Sequence, residues 1–171
     1  MINKKICMLG TFSVGKTSLV TQYVHSVFSD KYLSTVGVKI SKKSISVDDQ
    51  EVTLVLWDME GRDIYTNVNV SYLRGAMGFF VVADGMRAET LDTALELRAL
   101  VLDKVGAIPN ALLVNKTDMA EHWEISEKMI KKAEAGGIPV FRTSAKTGQS
   151  VEEAFLSLTK AMLKTRETFE Y

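Results

Sequence analysis

The chain has 171 residues, 46% hydrophobic and 25% charged, proportions that fit one globular domain with a sizeable core and argue against wholesale disorder. Its 21 basic and 21 acidic residues cancel, which removes the electrostatic case for a nucleic-acid partner, because such binding needs a concentrated basic face. The single Cys7 cannot close an internal disulfide, and no apolar run approaches the ~18 residues that cross a bilayer, so a cytoplasmic protein with a buried, inert thiol is expected.

The chain opens with a short apolar run, "KICMLG", which leads through a glycine-bearing loop to the helical "KTSLVTQYV". The loop, "GTFSVGKT" from Gly10 to Thr17, matches G-x-x-x-x-G-K-[ST] in the strand–loop–helix setting that the motif requires. The backbone N–H groups of Ser13, Val14, Gly15, Lys16 and Thr17, with Ser18 beyond them, are expected to curl around a β-phosphate, aided by the positive end of the helix. Lys16 would reach the β/γ oxygens, and the Thr17 hydroxyl would ligate Mg²⁺.

Next comes "KISKKSISVDDQEVTLVLWD", two extended runs flanking Asp48-Asp49-Gln50, which predicts a hairpin and hence one antiparallel edge strand. After it, apolar runs alternate with helical patterns. "GFFVVAD" precedes "ETLDTALELRALVLDKV", with Leu91, Leu95, Leu102 and Val105 at helical spacing. "ALLVN" precedes a helix from about Ile125 to Ala135, stopped by Gly136 and Gly137. "IPVFRTS" precedes "SVEEAFLSLTKAML", where Ser150 with Glu153 suggests a capping box and Val151, Phe155, Leu158 and Met162 a buried stripe. Such alternation predicts an α/β fold with a mainly parallel sheet covered on both faces, its site at the carboxyl ends of the strands.

Two further loops at that end indicate the base. "NKTD", Asn115 to Asp118, follows "ALLV", and "SAK", Ser144 to Lys146, follows "VFRT". A carboxylate at Asp118 can accept from the N1–H and 2-amino groups of guanine, whereas adenine would leave that charge unpaired. The backbone N–H of Ala145 would meet the guanine 6-oxo group. Asn115, Lys116, Ser144 and Lys146 complete this set.

With these motifs in this order, the chain resembles the Ras superfamily of small GTPases over nearly its whole length. "WDMEGRDIYTNVNVSYLRGAMGFF" and "STVGV" are most similar to the Rab branch. The resemblance implies a single three-layer P-loop NTPase G domain over residues 1–171. Its sheet would have six strands, mainly parallel with one antiparallel edge strand, and about five helices. It implies GTP/GDP and Mg²⁺ as ligands. Phe28 would stack edge-on against guanine, opposite the aliphatic stem of Lys116. Thr35 would meet Mg²⁺ and the γ-phosphate, Asp58 would hold Mg²⁺ through water, and the Gly61 N–H would sense the γ-phosphate. Effectors and an exchange factor would dock through Tyr32 to Ile40 and Trp57 to Tyr72. Trp57, Tyr72 and Ile40 serve equally well as semi-buried packing residues. A monomer is expected. Rab-like proteins usually carry C-terminal cysteines for lipid; this sequence ends "TRETFEY", so membrane attachment is not encoded in it, and a peripheral location would need a lipidated tail beyond it.

Two departures surround the implied γ-phosphate. The family pattern D-T-A-G-Q-E reads here Asp58-Met59-Glu60-Gly61-Arg62-Asp63, and Arg62 has five donors and no acceptor with which to orient a water. Phe12 places a ring where relatives carry a small residue. A GTPase with slow intrinsic turnover is expected, with Lys16 and Gly61 at the reacting phosphate and Arg62 as the altered catalytic position. Arg62 could instead supply transition-state charge while Glu60 or Asp63 places the water. A GTP-bound interaction module that does not hydrolyse, regulated by exchange, is the alternative function.

Overall fold

The computed structural model describes residues 2–30, 37–59 and 70–167. Its strands are β1 (Ile2–Leu9), β2 (Val38–Val47), β3 (Gln50–Met59), β4 (Gly78–Asp84), β5 (Asn110–Asn115) and β6 (Val140–Thr143). The helices are α1 (Lys16–His25), a short α2 (Val70–Leu73), α3 (Glu89–Val105), α4 (Glu127–Ala135) and α5 (Val151–Glu167), with a 3₁₀ segment over Thr117–His122. The strands form one sheet in the order β2-β3-β1-β4-β5-β6, parallel except for the β2–β3 hairpin. The expected α/β architecture, with its antiparallel edge strand, is therefore present.

Three layers follow from the side-chain period of two. Along β1, Ile6 and Met8 enter a cluster with Leu19, Tyr23, Phe155 and Leu158 of α1 and α5, whereas Cys7 and Leu9 enter a second with Leu91, Leu97 and Ile130 of α3 and α4. The same division separates Phe80 and Val82 from Phe79 and Val81 on β4, which is buried at every position. A strand covered on both faces must be apolar throughout, and this is why these runs read as continuous rather than alternating. Burial pushes the Cys7 thiol up to about 11, countered in part by Lys5, so it stays protonated and inert at neutral pH.

Local details refine the sequence reading. The hairpin turn is the two residues Asp48 and Asp49 alone, at φ 49° and 64°, with Gln50 already paired to Val47. Two successive left-handed residues make the turn whose twist matches the strands it joins. In α3 the buried positions are Thr90, Leu91, Ala94, Leu97 and Val101, while Leu95, Leu102 and Val105 lie half-buried at the margin. The apolar arc is wider than its buried centre, and the sequence stripe traced its edge. Helix α4 starts at Glu127, two residues later than expected, because Ser126 caps it by accepting from the Met129 N–H at 3.3 Å. Ser150 stands at φ 57°, not in the extended backbone of a helix cap, and the Val151 N–H donates to the Gly148 carbonyl at 3.2 Å. The Val151, Phe155, Leu158 and Met162 stripe of α5 is buried as expected.

Strands β1 and β3 to β6 all run the same way, so their carboxyl ends share one rim. The chain leaves β1 for β3 on one side and reaches β4 on the other, and a crevice opens at such a reversal.

Candidate functional site

At the end of β1 the backbone turns into the loop over residues 10–15, and the carbonyls of that loop are capped one after another. Lys16 Nζ donates to Gly10 O at 2.7 Å and to Thr11 O at 2.9 Å. Arg87 Nη2 donates to Phe12 O at 2.7 Å, Lys116 Nζ to Ser13 O at 3.1 Å, and Asn115 Nδ2 to Val14 O at 3.0 Å. Because a trans peptide holds its N–H opposite its C=O, anchoring the Phe12, Ser13 and Val14 carbonyls from outside commits the N–H groups of Ser13, Val14 and Gly15 to the other side. The result is a concave set of donors at the start of α1, whose first turn carries no acidic residue to compete for an anion. Glycine is required at two corners. A Cβ on Gly10 would meet Val82 O at 2.6 Å, and one on Gly15, at φ 102°, would meet Asn115 Nδ2 at 2.4 Å.

Lys16 lies buried in this cradle. Burial lowers its pKa to about 8, with Asp58 acting to raise it and Arg87 to lower it further. A cation so desolvated gains from an anion placed beside it. The next residue, Thr17, donates its hydroxyl to Asp58 Oδ2 at 2.5 Å, and Asp58, at the end of β3, is 1% exposed. A hydroxyl and a carboxylate meeting beside a phosphate cradle form a hard-oxygen pair, the donor chemistry that suits Mg²⁺ when phosphate and water supply its other ligands.

The expected base loops meet the same rim. Asn115 stitches them to the phosphate loop: besides its bond to Val14 O, its Oδ1 accepts from Thr143 Oγ1 and from the Ala145 N–H, both at 3.2 Å. Burial leaves the Ala145 amide in need of an acceptor, and Asn115 provides one. Ser144 Oγ donates to Asp118 Oδ1 at 2.7 Å, so "SAK" and "NKTD" hold each other. Lys146 is exposed at the loop tip, and Ser18 is half-buried in the first turn of α1.

Four residues that the motifs did not mark complete the site. Asp84, 2% exposed at the end of β4, receives Lys116 Nζ at 2.8 Å, Arg87 Nε at 3.2 Å and the Met86 N–H at 2.9 Å. Trp123 donates its indole N–H to Lys116 O at 2.8 Å and lies over Gly85, where a Cβ would fall 2.1 Å from the ring. Lys116, whose carbonyl this contact holds, is in the left-handed conformation, φ 79°. A carboxylate ending the otherwise apolar "GFFVVAD" was a usable sign for Asp84; Arg87, Gly85 and Trp123 carry none.

Other expected positions divide. Phe28 is half-buried and packs against the α1–α5 cluster. Trp57 and Tyr72 also pack, with ring centroids 6.1 Å apart, whereas Ile40 is 49% exposed. Lys5 Nζ stands 3.5 Å over the Trp57 ring. Thr35, Gly61 and Arg62, with Tyr32, Glu60 and Asp63, lie outside the described residues.

Comparison with known proteins agrees with this geometry. The model of the Ras family matches residues 5–164. Ras-related protein Rab7 of Glycine max is 38% identical over 168 residues, covering 93% of this chain and 82% of that protein. GTP-binding protein yptV5 of Volvox carteri is 34% identical, covering 97% and 85%. Ypt/Rab-type GTPase ypt7 of Schizosaccharomyces pombe is also 34% identical, covering 96% and 84%. The chain belongs to the Ras family, as a Rab-like member of the small GTPases.

Proposed function

We propose that this protein is a guanine-nucleotide switch that holds GTP or GDP with Mg²⁺ at the rim described above and turns GTP over slowly. The observation that carries the reading is the consecutive capping of the loop carbonyls around a buried Lys16, which leaves a row of N–H donors for a polyphosphate. Ser13 to Ser18 would cradle the phosphates, with Lys16 neutralising the β/γ oxygens. Asn115, Lys116 and Asp118 would read the base beside Ser144, Ala145 and Lys146, while Phe28 would bound it. Thr17, Thr35 and, through water, Asp58 would hold Mg²⁺, which when bound neutralises charge on the phosphate oxygens.

Slow turnover rests on Arg62 and Phe12. Arg62 offers no acceptor to a water, and the Phe12 side chain, on a residue 50% exposed, stands at the loop apex where a partner's catalytic arginine would need room. Single-turnover GTP hydrolysis by the wild type and by Arg62→Gln tests this: the substituted form should be faster, and equal rates would refute it. Loss of turnover in Arg62→Ala would instead assign Arg62 a direct role at the transition state, and a wild type that releases no phosphate over hours would make it a non-hydrolysing interaction module. Ordered loops would engage effectors and an exchange factor through residues 32–40 and 57–72, where Ile40 and Val70 are 49% and 48% exposed. Among the described residues no helix is long and apolar enough to cross a membrane.

A further inference from the structure

Three of the side chains that cap the phosphate loop come from the nucleotide-binding motifs themselves. The fourth, Arg87, comes from the turn between β4 and α3. Its guanidinium spans two acceptors, Nε to Asp84 Oδ2 at 3.2 Å and Nη2 to Phe12 O at 2.7 Å. Asp84 in turn holds Lys116, which ends on the neighbouring Ser13 carbonyl. One buried carboxylate thus braces two cations against successive peptides of the loop apex.

The peptide that Arg87 holds joins Phe12 to Ser13. Anchoring the Phe12 carbonyl outward points the Ser13 N–H into the cradle, because the two lie on one rigid plane. The same anchoring keeps Ser13 at φ 62°, a left-handed conformation that a residue with a Cβ adopts only under constraint. Rotating that single peptide plane by half a turn would take Ser13 out of positive φ and turn its N–H away from the phosphates. Leaving positive φ relieves Ser13, and the bond from Arg87 Nη2 to the Phe12 carbonyl opposes that rotation. We propose that Arg87 is a positioning residue that locks the Phe12–Ser13 peptide with its N–H toward the phosphates and so sets how long the nucleotide stays bound.

This rests on the nucleotide-binding reading above and adds a residue to it. Arg87 suits the task because its planar fork serves both acceptors at fixed angles, which a lysine ammonium does not reproduce. Its side chain is 37% exposed, so its replacement leaves the core intact.

The test is the release rate of a fluorescent N-methylanthraniloyl-GDP from the full chain in excess Mg²⁺. Arg87→Ala should release it about tenfold faster, the factor set by one charge-assisted hydrogen bond. Arg87→Lys should recover less than half of the loss, and Arg87→Gln, which keeps a neutral donor, should fall between wild type and alanine. Adding Ser13→Gly to Arg87→Ala should restore much of the residence time, because glycine holds positive φ without strain. The preference for GDP over IDP, read by Asp118 at the 2-amino group, should not change in any of them. Release from Arg87→Ala within twofold of wild type, absence of rescue by Ser13→Gly, or loss of the base preference each overturns the proposal. A wild type that retains no guanine nucleotide takes the proposed function down with it, whereas a wild type that binds GDP beside an unaltered Arg87→Ala removes this inference alone.

Discussion

Asn115→Ala should be the most damaging single truncation at the rim. The side chain is 2% exposed and serves three groups, the Val14 carbonyl at 3.0 Å and the Thr143 hydroxyl and Ala145 N–H at 3.2 Å each. Val14 and Thr143 are fully buried and Ala145 is 3% exposed, so none of the three finds bulk water after the change. A buried polar group left unsatisfied costs about 1–3 kcal/mol. These bonds are long, and a water can enter the space vacated by the amide, so the lower end applies to each and the sum comes to about 3–5 kcal/mol. For a chain of this size, 1 kcal/mol moves the melting temperature by about 2–4 °C, which predicts a fall of about 6–20 °C without nucleotide. Differential scanning calorimetry would measure it, and hydrogen exchange would place it: the Ala145 amide should lose protection while Leu113, in the middle of β5, keeps its own. A fall below 3 °C, or protection lost evenly along β5, would refute the view that Asn115 joins the phosphate and base loops.

The remaining predictions concern Lys16 and Gly85. In the free protein Lys16 is depressed to about 8, chiefly by burial, and an adjacent polyphosphate must raise it again, so nucleotide binding should take up a proton between about pH 8 and the complex's higher value. Affinity should be flat below pH 8 and weaken by up to tenfold per unit above it; calorimetry in buffers of different ionisation enthalpy should find uptake at pH 9 and almost none at pH 7, and no uptake at pH 9 would contradict it. The unfolded chain binds more protons than the folded one between about 8 and the ordinary lysine value of 10.5, so nucleotide-free stability should rise with pH across that window. Gly85→Ala should push the Trp123 ring off its seat and break its bond to Lys116 O, a loss of about 2–4 kcal/mol visible as a lower urea midpoint by tryptophan fluorescence; an unchanged midpoint would show that the ring moves freely.

Much of the fold was legible because its signals are local. Buried parallel strands must be apolar at every position, so "GFFVVAD" and "ALLVN" announce themselves. The hairpin was legible through its paired aspartates, and the phosphate loop through glycines whose Cβ would collide with Val82 O or Asn115. Boundaries were harder. The sequence stripe of α3 caught Leu91 but settled on Leu95, Leu102 and Val105, since a helix face wider than its buried centre offers several equivalent stripes. Ser150 looked like a helix cap by identity, yet its left-handed backbone excludes that geometry.

The part of the site that could not be read is the part built through space. A carbonyl in the phosphate loop looks the same in sequence whether or not a side chain caps it, and the cap on Phe12 O comes from a residue 75 positions away. Asp84 and Arg87 gain meaning only once β4 and β5 lie side by side and bring Asp84 to the rim beside Lys116. The motif residues supply the groups that would face a nucleotide, while these outer residues decide which way the backbone behind them points. A phosphate loop with its motif intact but its outer caps removed would keep every residue of the signature and lose the orientation that makes the signature work, which is why Arg87, invisible to the motif, is the position at which this chain can tune its grip.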